Sequence, residues 1–256
     1  MRSILFEIGP IPIRAYGFML IIGFVLGLAR AVRVAKKREI NPERVMDAAL
    51  IGLIAGIVGS RLVFMLLSMD EHSYTLSDIY RVWEGGLSFH GGLIFAIIAV
   101  AIYLRRVKIP FLQMADLLAP SAAIGYAFTR IGCFLNGCCY GHATDLPWAI
   151  SFRDATLGGL ITEPSHPAQL YAFAANIAIF ALLTRVEKLK RAHGFTFFAY
   201  IGLYSIYRFL IEIVRKGVTA DIAFAGITEA QILSIALLIV SAFFLWIKRA
   251  SSSAKG

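Results

Sequence analysis

Residues 129–142 read TRIGCFLNGCCYGH, and the fold of the chain turns on this stretch. It follows a long apolar run and holds all three cysteines, with glycine at Gly132, Gly137 and Gly141. Glycine costs a helix about 1 kcal/mol relative to alanine. The spacing therefore predicts a helix ending near Phe128, followed by irregular backbone. Irregular backbone at membrane depth persists only where protein or a water-filled cavity surrounds it. Arg130, placed there, is a functional candidate, because a charge at that depth is costly unless paired or used.

Composition sets the class. The 256 residues have a mean hydropathy of +0.74 and are 59% hydrophobic, against roughly 45–50% for soluble domains. The reading is an all-α, polytopic integral membrane protein, with room for about seven spans of ~20 residues. It forms a single domain over residues 1–256. The net charge of +9 is not a nucleic-acid signal. Sixteen of the 25 basic residues fall in segments 30–44, 105–108, 185–191 and 248–255. These segments alternate with the apolar runs, as the positive-inside rule requires, and could meet anionic headgroups. The opening MRSILFEIGPIPIRAYG carries Glu7 and two prolines and lacks a small-residue cleavage site, so it is not a signal peptide.

In order, the spans are expected at residues 16–31, 46–68, 87–104, 111–128, 168–184, 195–213 and 229–247. Gly52, Gly56, Gly59 and Ser60 share one face of the second span and allow close helix contact. The loop at 69–86 carries Asp70, Glu71, Asp78 and Glu84 against Arg81, consistent with the outer side. Residues 143–167 are expected to form an ordered external loop or half-helix, and SSSAKG a flexible tail. Seven spans put the N-terminus outside, the C-terminus in the cytoplasm and all four basic segments inside.

On this topology Arg14, Arg61, His90, Arg130, Arg208, Glu212 and Arg215 lie near outer span ends. Arginine's planar fork suits phosphate, so an arginine-lined outer cavity suggests an anionic headgroup. Blander roles stand beside this. Arg208 and Glu212, four residues apart, suit an ion pair. Arg14 and Arg215 read as snorkelling side chains, and Tyr207 as an aromatic-belt residue. His90, set among glycines in Gly85-Gly86-Leu87-Ser88-Phe89-His90-Gly91-Gly92, suits proton transfer near neutral pH or a plain interfacial hydrogen bond. For Cys133, Cys138 and Cys139, four roles stay open: zinc with His142, a disulfide, redox chemistry, or packing. Adjacent ligands at Cys138 and Cys139 fit tetrahedral spacing poorly, so no metal is expected.

Together these residues resemble the prolipoprotein diacylglyceryl transferase family along nearly the whole chain. The similarity runs through Ile13-Arg14-Ala15-Tyr16-Gly17 and the His-Gly-Gly motif at His90-Gly91-Gly92. It continues through Arg130-Ile131-Gly132 with Phe134, Asn136 and Gly141. Further matches are His166-Pro167-Ala168-Gln169-Leu170-Tyr171, and Tyr204, Arg208, Glu212 and Arg215. The family signature usually has asparagine where Cys133 stands and glutamate where Cys138 stands. Ala172 replaces another common glutamate.

The resemblance implies transfer of diacylglyceryl from phosphatidylglycerol to the lipobox cysteine of preprolipoproteins, releasing glycerol phosphate, in a bacterial cytoplasmic membrane with the site toward the outer leaflet. The implied catalytic residues are His90, Arg130 and Arg208. The implied substrate-binding residues are Tyr16, Arg61, Asn136, Gly141, Tyr204 and Glu212. The partners are phosphatidylglycerol, preprolipoprotein signal peptides and membrane lipids, with no cofactor. Competing readings are a divergent paralogue acting on another lipid or acceptor, a transporter of anionic small molecules, and a membrane thiol-redox enzyme. Internal repeats, expected of many transporters, are not evident.

Overall fold

The computed structural model describes the chain except for residues 1–3, 9–10, 71–73, 82–84, 155–158, 190–191, 216–221, 225–226 and 254–256. Glu71, Glu84, Gly158, Lys190, Arg191 and the end of the tail lie outside the described residues. Among the described residues, seven α-helices run in order: α1 (Ala15–Lys37), α2 (Pro42–Leu67), α3 (Phe89–Arg106), α4 (Phe111–Asn136), α5 (Ala168–Glu187), α6 (Phe195–Glu212) and α7 (Glu229–Ser253). Six of them, all but α6, are long and apolar enough to cross a membrane. In α6, Tyr200, Tyr204, Tyr207, Arg208 and Glu212 lower the mean hydropathy.

Among the described residues, three two-stranded antiparallel sheets, unforeseen from the sequence, accompany the helices. They pair β1 (Ile4–Ile8) with β2 (Ile11–Arg14), β3 (Arg153–Asp154) with β4 (Leu160–Ile161), and β5 (Ile222–Phe224) with β6 (Ile227–Thr228). The described residues of the 143–167 segment form a loop held by β-bridges from Ser165 to Ala143 and Ile150, with no helix among them. Its anchor is the fully buried Phe152, stacked on Tyr140 at 5.1 Å and edge-on to Phe134 at 6.0 Å. At the other end of the chain, α7 continues through the first residues of the expected tail to Ser253.

The largest departure is in α4. It does not stop at Phe128 but carries Arg130, Gly132 and Cys133 as helix. Gly132 is a packing residue: a Cβ there would lie 3.1 Å from the Tyr16 Cα. The helix gains a close neighbour, which offsets the propensity penalty.

The chain divides into two compact units, Met1–Arg30 with Ala115–Gly256, and Ala31–Met114. In the first, α1 lies against α4 through small residues. A Cβ on Gly23 would meet the Gly125 carbonyl at 2.7 Å, and one on Gly27 the Ser121 carbonyl at 2.9 Å. Arg30 ties α1 to the Leu117 carbonyl at 2.8 Å and to the Glu187 carboxylate on α5. Asp116 accepts from the backbone N–H groups of Gly194 at 2.6 Å and Phe197 at 2.8 Å, satisfying donors at the α6 N-terminus. On α7, the Ser241 hydroxyl donates to the Phe198 carbonyl at 2.6 Å, and Phe244 stacks on Phe198.

In the second unit α2 and α3 interlock. A Cβ on Gly59 would sit 2.3 Å from the Phe95 Cβ, and one on Gly92 would sit 2.9 Å from the Gly56 carbonyl. The small-residue face of the second span thus packs on the glycines of the His-Gly-Gly motif. Asn41 caps α2 by accepting from the Glu43 N–H at 2.9 Å, with Pro42 at the first helical position.

Candidate active site

The last turn of α4 creates the site. Gly137 takes φ +75° and ends the helix. Its N–H donates to the Phe134 carbonyl at 3.1 Å, and the Cys138 N–H donates to the Cys133 carbonyl at 3.2 Å. That bond pair is a Schellman cap. Beyond it the Gly141 N–H donates to the His166 carbonyl, the His142 N–H to the Val214 carbonyl and the His166 N–H to the His142 carbonyl, at 2.9, 2.9 and 3.0 Å. Residues 141–142 are thereby stitched to the segment before α5 and to the end of α6. Gly141 is obligatory there: a Cβ would lie 2.3 Å from the Val214 carbonyl oxygen and 2.8 Å from the His166 Cβ.

These segments enclose a small pocket lined by Arg130, Cys139, Ala168, Gln169, Ala172, Tyr207, Ile211 and Arg215. Arg130 donates through Nη2 to the Tyr126 hydroxyl, and its guanidinium lies 4.5 Å from the Tyr126 ring centroid. Its Nε is buried with no protein partner. Gln169, 1% exposed, donates through Nε2 to the Cys138 carbonyl at 2.7 Å, while its buried Oε1 has no partner. The pocket therefore offers one unmet cationic donor and one unmet neutral acceptor. Buried groups of both kinds are normally satisfied, so these two atoms are polar capacity open to a water or to a ligand group. The Cys139 thiol titrates lower than usual, first through hydrogen bonding with Cys133 and Cys138, and then through the positive charge of Arg130 and Arg215.

Tyr204 and Tyr207 pack around the Tyr126 ring at centroid distances of 5.6 and 6.3 Å. Tyr207, read from sequence as a belt residue, is instead 9% exposed and lines the pocket. Arg215, read as snorkelling, also lines it. Arg208 and Glu212 form the ion pair that their spacing suggested, with Glu212 4% exposed. Tyr16 stands on α1 where its backbone abuts Gly132, and Asn136 closes α4. Arg14 is exposed on β2.

Two candidates belong to the other unit. Arg61 is 4% exposed and spends its guanidinium on backbone. Nε donates to the Asp78 carbonyl at 2.9 Å, and Nη1 to the Gly85 and Gly86 carbonyls at 2.5 and 3.2 Å. His90 is exposed in the first turn of α3, which Ser88 caps. Its ring meets Phe89 edge-on at 5.7 Å.

Sequence reasoning missed Tyr126 and the role of Gln169. Tyr126 had a signal: it precedes Arg130 by four residues, on the same helix face. Gln169 had only its place in the His166–Tyr171 motif.

An apolar groove of about 490 Å³ adjoins the pocket along α5 and α6. It shares Tyr207 and Ile211 with the pocket and is otherwise lined by residues such as Ala175, Ala178, Leu203 and Leu210.

A protein-family model described as prolipoprotein diacylglyceryl transferase matches residues 3–247. Among curated proteins, the phosphatidylglycerol–prolipoprotein diacylglyceryl transferase of Clostridium botulinum strain Langeland is 34% identical over 248 residues, covering 96% of both chains. Its Aeromonas hydrophila counterpart is 34% identical, covering 94% of this chain and 88% of that one. The Geobacter sulfurreducens counterpart is 37% identical over 219 residues, covering 83% and 82%. By these matches the chain belongs to the prolipoprotein diacylglyceryl transferase family.

Proposed function

We propose that this enzyme transfers the diacylglyceryl group of phosphatidylglycerol to the lipobox cysteine thiol of a preprolipoprotein. One observation carries the reading: Arg130 and Gln169, each with a buried polar atom lacking a protein partner, line a small pocket that shares Tyr207 and Ile211 with an apolar groove. A phosphoglycerol headgroup has the complementary chemistry, with anionic oxygens to accept from Arg130 and a hydroxyl to donate to Gln169. Its acyl chains suit the groove along α5 and α6.

The reaction is a substitution at carbon. The acceptor thiol loses its proton, and its sulfur forms a bond to the glyceryl carbon that carries the phosphate ester. The C–O bond breaks, and glycerol phosphate leaves with the electron pair. A thiol of pKa ≈ 8.5 needs deprotonation to attack, and His90 is the proposed proton acceptor. Arg130, with Arg215 beside it, neutralises charge growing on the leaving phosphate, an effect typically worth 10²–10³ in rate for one well-placed donor. Tyr126 fixes the Arg130 fork through its hydroxyl and ring. Arg208, held by Glu212, and Tyr204 support the wall behind it, while Tyr16 and Asn136 border the headgroup. Arg61 and Gly141 act by position: one holds the Asp78, Gly85 and Gly86 carbonyls, the other lets the pocket segments meet.

The proposed setting is the bacterial cytoplasmic membrane, with the basic segments inside and the pocket toward the outer leaflet, where signal peptides present their cysteines. Phospholipids with other headgroups serve as the control for the departures at Cys133, Cys138 and Ala172. The protein in phosphatidylglycerol vesicles with a lipobox peptide should yield a diacylglyceryl peptide by mass spectrometry. Arg130→Ala should lower the rate by about 10²–10³. Full activity in that variant would remove the phosphate role, and product only from another phospholipid would overturn the donor assignment.

A further inference from the structure

The three cysteines converge. The Cys133, Cys138 and Cys139 sulfurs all lie within 4.8 Å of one another, and those of Cys138 and Cys139 are 3.6 Å apart. Adjacent residues on extended or helical backbone diverge, which is why the sequence spacing argued against a shared metal. Cys139 departs from both conformations: at φ +66° it is left-handed, one of three described non-glycine residues with positive φ. Together with the left-handed Gly137, it turns the two side chains toward Cys133 in the last turn of α4. A left-handed cysteine is strained backbone, and such strain concentrates at functional positions.

We propose that Cys133, Cys138 and Cys139 form a three-sulfur binding site for a soft monovalent cation, copper(I), at the end of α4. Three sulfurs around one ion with metal–sulfur bonds of about 2.3 Å stand about 4 Å apart, close to the separations seen here. Thiolate ligands select copper(I) over harder cations. Charge selects it again. Three thiolates and one copper(I) carry a net charge of −2, and Arg130 and Arg215 line the pocket that Cys139 enters. Their positive charge favours that anionic complex in the absence of lipid, more than it favours the −1 complex of a divalent ion. The ion would pin residues 137–139 to α4 and so fix the turn that leads to Gly141.

The test uses the full-length protein, reduced and kept anaerobic in detergent, titrated with copper(I) against a chromogenic copper(I) chelator. One equivalent should be taken up, and X-ray absorption should show three sulfur neighbours at about 2.3 Å. Each single cysteine-to-serine variant should weaken uptake by more than the roughly 100-fold that loss of an outer-shell partner costs. Copper should also protect all three thiols of the unmodified protein from alkylation, a readout that needs no variant to fold. Unchanged affinity in Cys133→Ser would overturn the proposal. So would alkylation of copper-loaded protein at all three thiols, nitrogen ligands in the absorption spectrum, or preferential uptake of zinc. The lipid-transfer assay is scored separately, so failure of one does not count against the other.

Discussion

Replacing Gly141 with alanine tests whether the pocket depends on backbone contact there. The added Cβ would lie 2.3 Å from the Val214 carbonyl oxygen and 2.8 Å from the His166 Cβ. The first is backbone and cannot swing aside as a flexible side chain does. Relief requires residues 141–142 to move from their neighbours, which strains the 2.9 Å bonds to the His166 and Val214 carbonyls. Overpacking of this kind costs about 1–3 kcal/mol. Losing two backbone hydrogen bonds adds about 0.5–1.5 kcal/mol each. The total of about 2–6 kcal/mol falls on the segments that hold Arg130, Gln169 and Arg215 together. For a chain of this size, each kcal/mol lowers the unfolding midpoint by about 2–4 °C. The assay is heat inactivation in detergent at a fixed heating rate, alongside lipid transfer at a temperature where both proteins stay folded. The expected result is a midpoint lower by several degrees and a large loss of transfer. An unchanged midpoint with full activity would refute the steric argument. An unchanged midpoint with lost activity would instead give Gly141 a direct substrate contact.

Three further outcomes follow from particular contacts. Arg61→Ala removes three donations to the Asp78, Gly85 and Gly86 carbonyls, at about 1.5–3 kcal/mol per charged bond; limited proteolysis should then cut near Gly85 faster than in the unaltered protein. The Asp78 carboxyl is held below its ordinary value of 3.8, first by the Thr75 N–H and then by the Thr75 hydroxyl. A lowered folded-state pKa gives stabilisation that is present above the ordinary value and lost as pH falls through the folded one. Protection of the 75–79 turn from proteolysis by an acid protease should thus weaken below about pH 4, and Asp78→Asn should remove that pH dependence. Ala178→Phe would fill part of the groove along α5 and α6. It should slow transfer from long-chain donors more than from short-chain ones, measured by competition and mass spectrometry, and an equal effect on both would detach the groove from the acyl chains.

Much of this molecule was legible before any coordinates. Length and hydropathy place the helices, because a chain that must satisfy its backbone in lipid has few alternatives. Gly52, Gly56 and Gly59 at helical spacing marked a contact face, and α3 occupies it. The misreading at Gly132 has a physical cause. Glycine's helix penalty is about 1 kcal/mol, and close packing against Tyr16 overrides it, whereas the left-handed Gly137 does end α4. Tyr207 and Arg215 read as interfacial in the sequence because hydropathy reports depth and not the direction a side chain faces. Arg61 read as a phosphate ligand for the same reason; its carbonyl partners come from a loop whose path the sequence does not reveal. Pairing in the short hairpins joins strands of two to five residues, too short to carry a hydrophobic pattern of their own.

The glycine contacts also set an order of assembly. α2 and α3 meet through residues close in sequence, such as Gly56 and Gly92, so that pair can form soon after its second helix is made. α1 must wait, because its close neighbour at Gly23 is Gly125 on α4. At roughly 5–20 residues per second, that partner is synthesised about 5–20 s later. Through that interval Gly23 and Gly27 present bare helix backbone to lipid or to the insertion machinery. A lengthened connection between α1 and α4 would therefore harm biogenesis before it touched the finished site.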